Sequence, residues 1–168
     1  TFPLLIAVVI IIKLDSKGAV IFKQERVGLY GQIFTILKFR SMHVVAESQG
    51  AYFTSENDTR ITRAGRFIRK TSLDELPQLF NVLVGDMSLV GPRPDLAVQR
   101  QGYTAADWEK RHSLRPGITG LAQATFRSEA SAEERTQLDL KYVDKVSIPY
   151  DFWIILLTIK QIFLLKAN

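Results

Sequence analysis

The sequence predicts a compact α+β domain, mainly helical, with a single β-hairpin. Three observations predict it. Residues 19–24 and 33–39 read as strands on either side of Arg26-Val27-Gly28-Leu29-Tyr30-Gly31, whose glycines permit a turn, so the segment 19–39 is a hairpin. Residues 76–84, 105–113 and 132–143 read as helices, the first ending at Gly85. The apolar residues, 46% of the 168, concentrate at the two ends of the chain. That length supports one domain with its own core, spanning residues 1–168.

The N-terminal run 2–12 is continuously apolar, with Pro3 placed to begin or kink a helix and Lys13 and Asp15 ending it. It falls short of the ~20 residues needed to cross a bilayer. It reads as a buried core helix, a re-entrant segment or the second half of a span. The chain opens on Thr1 inside this run, which reads as a trimmed or partial chain without a signal peptide. Residues 46–58 are polar and aperiodic, an exposed loop. Arg60, Arg63, Arg66 and Arg69 recur every third residue, giving a helix with a drifting basic face. Such a face is either simply solvated or meets phosphates or lipid headgroups. Residues 151–165 are strongly apolar, with Trp153, Lys160 and Lys166 suited to a helix lying in a membrane interface. A terminal helix docked on the core is the alternative.

The charge balance, 22 Lys and Arg against 17 Asp and Glu, suits nucleic acid, an anionic membrane or a phosphorylated substrate. No nucleic-acid-binding motif is present, and the apolar ends argue against that partner. The absence of cysteine excludes disulfides, thiolate zinc sites and thiol nucleophiles. His43 and His112 are the only histidines, which disfavours a histidine metal centre or a Ser-His-Asp triad. Any catalysis then falls to carboxylates and arginines.

The densest cluster of such residues is Arg69-Lys70-Thr71-Ser72-Leu73-Asp74-Glu75-Leu76-Pro77. Ser72 and Glu75 match a capping box, but that frame puts Pro77 beyond the first turn, where its missing N–H costs a hydrogen bond. A helix starting at Leu73 or Asp74 avoids this cost and puts Asp74 and Glu75 at its mouth. Adjacent carboxylates, upstream cations and a helix N-terminus are the ingredients of phosphoryl transfer. Asp86, after the Gly85 break, can cap a turn, hold an arginine or help bind a metal, the turn role being favoured. In Gly91-Pro92-Arg93-Pro94 the prolines exclude regular structure and make a stiff loop that presents one arginine. That arginine either holds a phosphate bidentately or fastens the loop by a salt bridge. Arg115, in Arg115-Pro116-Gly117, poses the same choice.

These stretches, in order, resemble the bacterial sugar transferase family, the monotopic phosphoglycosyl transferases. The matching segments are Glu25-Arg26-Val27-Gly28, Lys38-Phe39-Arg40-Ser41-Met42, residues 69–81, residues 85–94 and residues 115–123, together covering nearly the whole chain. The resemblance implies Asp74 as a nucleophile that accepts a sugar phosphate, with Glu75 as its dyad partner. It implies Mg2+ near the dyad, with Asp74 and Asp86 as candidate ligands. Arg69 and Arg93, with Lys38, Arg40 and Arg115, are the implied phosphate-binding residues. The implied donor is a UDP-sugar, the acceptor a polyprenyl phosphate of the undecaprenyl type, and the leaving group UMP. Residues 1–14 would be the remnant of a re-entrant membrane helix and residues 150–166 an interfacial helix. Phe2, Leu5, Ile6, Trp153 and Phe163 would then meet the cytoplasmic face of the bacterial inner membrane. Self-association or downstream glycosyltransferases are further expected partners. Many family members continue past Gln123 with Asn-Gly-Arg, whereas this chain reads Ala124-Thr125-Phe126-Arg127, so its sugar preference does not transfer. A non-catalytic membrane-surface module explains the basic face and apolar ends, but leaves Asp74-Glu75 and the proline loop without a role.

Overall fold

A computed structural model describes residues 2–43, 58–126 and 131–164, and the loop expected over 46–58 lies almost wholly outside them. The described chain is α+β, with helices predominating over short strands. It divides into two compact units, residues 1–23 with 37–77, and residues 24–36 with 78–168. The expected hairpin forms from β1 (Ile21–Val27) and β2 (Ile33–Phe39), whose residues are shared between the two units.

The first unit contains α1 (Phe2–Asp15) and α2 (Arg63–Lys70). Its core gathers Val8, Ile12, Phe39 and Ile68, with Leu5, Val9, Val20, Ile21, Leu73 and Leu76 packed against them. Spacing explains the choice on α1, since positions 5, 8, 9 and 12 share one helical face. The opposite side leaves Ile6, Ile10 and Leu14 exposed at a spacing of four. The basic helix starts at Arg63 rather than Arg60, because Thr62 caps it by accepting a hydrogen bond from the Gly65 N–H at 2.9 Å. Asp15 accepts a second, from the Ala64 N–H, also at 2.9 Å. Gly65 is required there, since a Cβ would lie 2.0 Å from the Ser41 carbonyl oxygen.

The second unit holds α3 (Gln78–Val84), β3 (Ser88–Val90), α4 (Ala105–Arg111), β4 (Gly117–Thr119), α5 (Leu121–Phe126), α6 (Ala132–Lys145) and α7 (Ile148–Leu164). Val90, Leu121, Ala124, Tyr142 and Ile154 form its core. The structure adds to the sequence reading a parallel pair, β3 against β4, with Ser88 opposite Gly117 and Val90 opposite Thr119. Both strands are three residues long and run into proline-glycine turns, so neither carried a strand pattern. Helix α6 begins where Ser131 and Glu134 form a reciprocal capping box. Helix α7 packs on α5, β3 and β4, as a docked terminal helix does. It nevertheless exposes Phe152, Trp153, Leu156 and Ile159. No helix among the described residues is long and apolar enough to cross a membrane.

Candidate catalytic and phosphate-binding residues

Asp74 and Glu75 do not open a long helix. They occupy a single 3-10 turn, Leu73–Glu75, and α3 starts only at Gln78, after Pro77. The proline falls between the two elements, so its missing N–H interrupts neither. Ser72, just before the turn, is left-handed (φ 57°, ψ 18°), a conformation that costs a non-glycine residue free energy. The reversal carries the chain from the end of α2 into the dyad and leaves Asp74 buried, at 9% exposure. Glu75 is partly accessible, and its Oε1 accepts from Lys38 Nζ at 3.1 Å. The structure therefore joins Lys38, on β2, to the dyad. Arg69 sits in the last turn of α2, five residues before Asp74. Arg60, which precedes α2, binds Asp58 in a fork and holds that carboxyl down at about 2, with Arg69 adding a smaller electrostatic pull.

Arg40 is engaged by its own chain. Its guanidinium is buried and donates to the backbone carbonyls of Ala19 and Ser16 and to the Ser16 hydroxyl. It clamps the connection between α1 and β1, a structural task that the motif around it did not disclose. Leu5 is half-buried and packs on the core beside Val8 and Ile12. Ile6 is 46% exposed, and so is Trp153, which stacks on Tyr150 at 5.4 Å. The side chains of Phe2 and Phe163 lie outside the described set.

In the second unit the proline loop is exposed at one residue only. Gly91, Pro92, Pro94 and Asp95 are buried while Arg93 is exposed. Two prolines leave few N–H donors, so the loop is tied down by its carbonyls. Pro92 O accepts from Gly117 N at 2.9 Å, Arg93 O from Arg111 Nη2 at 2.7 Å, Pro94 O from Arg26 Nη1 at 3.1 Å, and Asp95 O from Val27 N at 2.9 Å. Burial, and then the neighbouring charge of Arg93, push Arg26 down to about 10, so two cations share this place. The carboxylate of Asp95 opposes both effects.

Asp86 takes the turn role. Its N–H donates to Asn81 O at 2.9 Å, and its carboxylate accepts from Asn81 Nδ2 at 3.1 Å, just after α3. Arg115 is exposed and donates from Nε to Gly85 O at 2.7 Å. It edges an open, mainly apolar cavity of about 540 Å3, lined by residues that include Met87, Ile148, Phe152 and Ile155. Among the described residues no three acidic, histidine or cysteine side chains cluster as a ready-made metal site.

Sequence reading missed Arg111, Asp95 and Asp139, and noted Arg26 only as part of a matching segment, without a role. Arg111 looks like the basic end of an ordinary helix, and its carboxylate partners lie 16 and 28 residues away. Only the fold brings them together, and no local pattern could have named them.

The profile of the family described as "Bacterial sugar transferase" matches residues 1–165. The chain is 41% identical to the UDP-glucose:undecaprenyl-phosphate glucose-1-phosphate transferase of Escherichia coli (strain K12), over 98% of this chain and 37% of that protein. It is 44% identical to the UDP-N-acetylgalactosamine-undecaprenyl-phosphate N-acetylgalactosaminephosphotransferase of Aeromonas hydrophila, over 95% of this chain and 39% of the relative. It is 43% identical to the uncharacterized sugar transferase EpsL of Bacillus subtilis (strain 168), over 96% of this chain and 79% of that one. The chain thus spans little more than a third of the first two relatives' length. With the profile covering nearly every residue, the chain belongs to the bacterial sugar transferase family.

Proposed function

We propose that the chain transfers a sugar phosphate from a UDP-sugar to a polyprenyl phosphate, releasing UMP, through a covalent intermediate on Asp74. The observation that carries this reading is the dyad's geometry. Asp74 is buried on a 3-10 turn entered through left-handed Ser72, and the adjacent Glu75 is fixed by Lys38. A buried carboxylate that follows directly on a residue in a costly backbone conformation is a common mark of a functional position. The names of the Escherichia coli and Aeromonas hydrophila relatives, which differ in sugar but share undecaprenyl phosphate, support the reaction class.

In the first half-reaction an Asp74 carboxylate oxygen attacks the sugar-bearing phosphorus. The bond from that phosphorus to the bridging oxygen breaks, and UMP leaves with the bonding electrons. In the second, a phosphate oxygen of the lipid attacks the same phosphorus, which restores the Asp74 carboxylate and yields a polyprenyl diphosphate sugar. An anion attacking an anion needs neutralising charge. Arg69, five residues from Asp74, supplies a cation for the phosphates, and Arg93 is the second proposed phosphate ligand. Glu75, steadied by Lys38, assists in placing the substrate. The donor set suits Mg2+ held by Asp74 together with substrate phosphate oxygens, since this ion commonly uses one or two carboxylates with phosphates and water. Bound there, it supplies Lewis-acid neutralisation of the phosphates. Asp86, engaged by Asn81, is the weaker candidate ligand.

The exposed apolar residues of α1 and α7 support attachment to the cytoplasmic face of the bacterial inner membrane, with α1 re-entrant and α7 interfacial. A non-catalytic membrane module is the weaker reading, because it gives buried Asp74 no task. The test is UMP release from a panel of UDP-sugars, with and without undecaprenyl phosphate. Release from at least one donor, stimulated by the lipid, is expected. No release from any donor, in protein that binds vesicles, would favour the module.

A further inference from the structure

Arg111 ends α4 in the interior of the second unit, its side chain 4% exposed. Its Nε and Nη2 donate to Asp139 Oδ2 at 2.9 and 2.8 Å, and Nη1 donates to Asp95 Oδ2. The same Nη2 donates to the Arg93 carbonyl at 2.7 Å. One guanidinium therefore spans α6, through Asp139, and the proline loop, through Asp95 and the backbone of Arg93. Both carboxylate side chains are nearly as buried, at 4% and 7%. Burying three charges is expensive, and removing one partner leaves the others uncompensated. A simple loop anchor needs no such arrangement, because the Gly117, Arg26 and Val27 donors already hold the flanking carbonyls.

We infer that Arg111, clamped between Asp139 and Asp95, is the positioning residue that fixes how Arg93 is presented to a substrate phosphate. The inference rests on the reading of Arg93 as a phosphate ligand. The side chain of Arg93 leaves the loop at the one position whose carbonyl Arg111 holds, so the clamp sets the peptide plane from which it departs. A guanidinium spreads fixed donors over three nitrogens, whereas lysine's three donors radiate from one nitrogen and cannot span the four contacts made here. Asp139 acts at one remove, by fixing Arg111.

A double-mutant cycle tests this, with UDP as the probe because it carries both donor phosphates and is not consumed. Dissociation constants are measured by calorimetry on detergent-solubilised protein, with thermal melting as the check on folding. Arg93→Ala is expected to weaken UDP about tenfold, the scale of one charge-assisted contact. Arg111→Lys is expected to weaken UDP several-fold in the parent chain and not at all in the Arg93→Ala background. If Arg111→Lys does not fold, the milder Asp139→Asn replaces it in the cycle, with the same expectation. Equal losses in both backgrounds would overturn the inference, as would wild-type affinity in the clamp variant while Arg93→Ala is impaired. Unchanged affinity in Arg93→Ala would remove the premise, and the reading of Arg93 as a phosphate ligand would fail with it.

Discussion

Asp139 shows how one residue's environment decides its chemistry. Burial pushes its carboxyl up to about 6, against the opposing pull of Arg111. Arg111 is drawn down by the same burial, but the carboxylates of Asp139 and Asp95 outweigh this and hold it above its ordinary value. The guanidinium is therefore charged at every working pH, and the acid is the member of the pair that titrates. Burial also raises Asp95 and Tyr103 and lowers His112, so the imidazole and the phenol that neighbour Arg111 are neutral at pH 7. The folded chain binds the Asp139 proton more tightly than the unfolded chain does, so this residue's contribution to stability is present at low pH. It is lost as pH rises from the ordinary 3.8 through about 6. Asp139→Asn, which cannot titrate, is expected to flatten the decline in melting temperature across that window. An identical pH profile in the variant would show that Asp139 titrates in its ordinary range.

Among the elements, the hairpin and helices α3, α4 and α6 were legible because each carries its own period and boundary residues. The pair β3 and β4 was not, since three-residue strands hold no period and their pairing depends on a distant partner. The dyad's residues were legible from the local motif, whereas its 3-10 geometry was not, because the left-handed Ser72 carries no glycine to announce it. The backbone contacts of Arg40 were not legible for a related reason. A motif names a residue without saying whether its donors are already used by carbonyls 21 and 24 positions away. The glycines beside β4 are where sequence and packing meet. A Cβ on Gly117 would lie 2.1 Å from the Gly91 nitrogen, so the proline loop and the turn at residues 115–117 approach backbone to backbone. Gly117→Ala is expected to cost about 1–3 kcal/mol through overpacking. At about 2–4 °C per kcal/mol for a chain of this size, the melting temperature should fall accordingly. A melting temperature equal to the parent's would show that the approach is looser than the geometry requires.

At the scale of the whole chain, each unit shows an arrangement ill-suited to water alone. In the first, α1 buries one face and exposes Ile6, Ile10 and Leu14, the last at 83%. In the second, α7 packs inward through Ile154 and exposes Phe152, Leu156 and Ile159. Such faces fit a chain that works at a lipid surface, and in the proposed two-step reaction the soluble donor and the membrane-held acceptor would use one carboxylate in turn. That carboxylate is the centre of the account, and the most direct test is intact-protein mass after mixing with UDP-sugar and Mg2+ in the absence of lipid acceptor. The parent chain should gain the mass of one sugar phosphate, mapped to Asp74, and Glu75→Gln should gain it more slowly or in smaller yield. Asp74→Asn, nearly the same shape without the anionic oxygen, should gain nothing. Full adduct formation by Asp74→Asn, mapped to another side chain, would contradict the account.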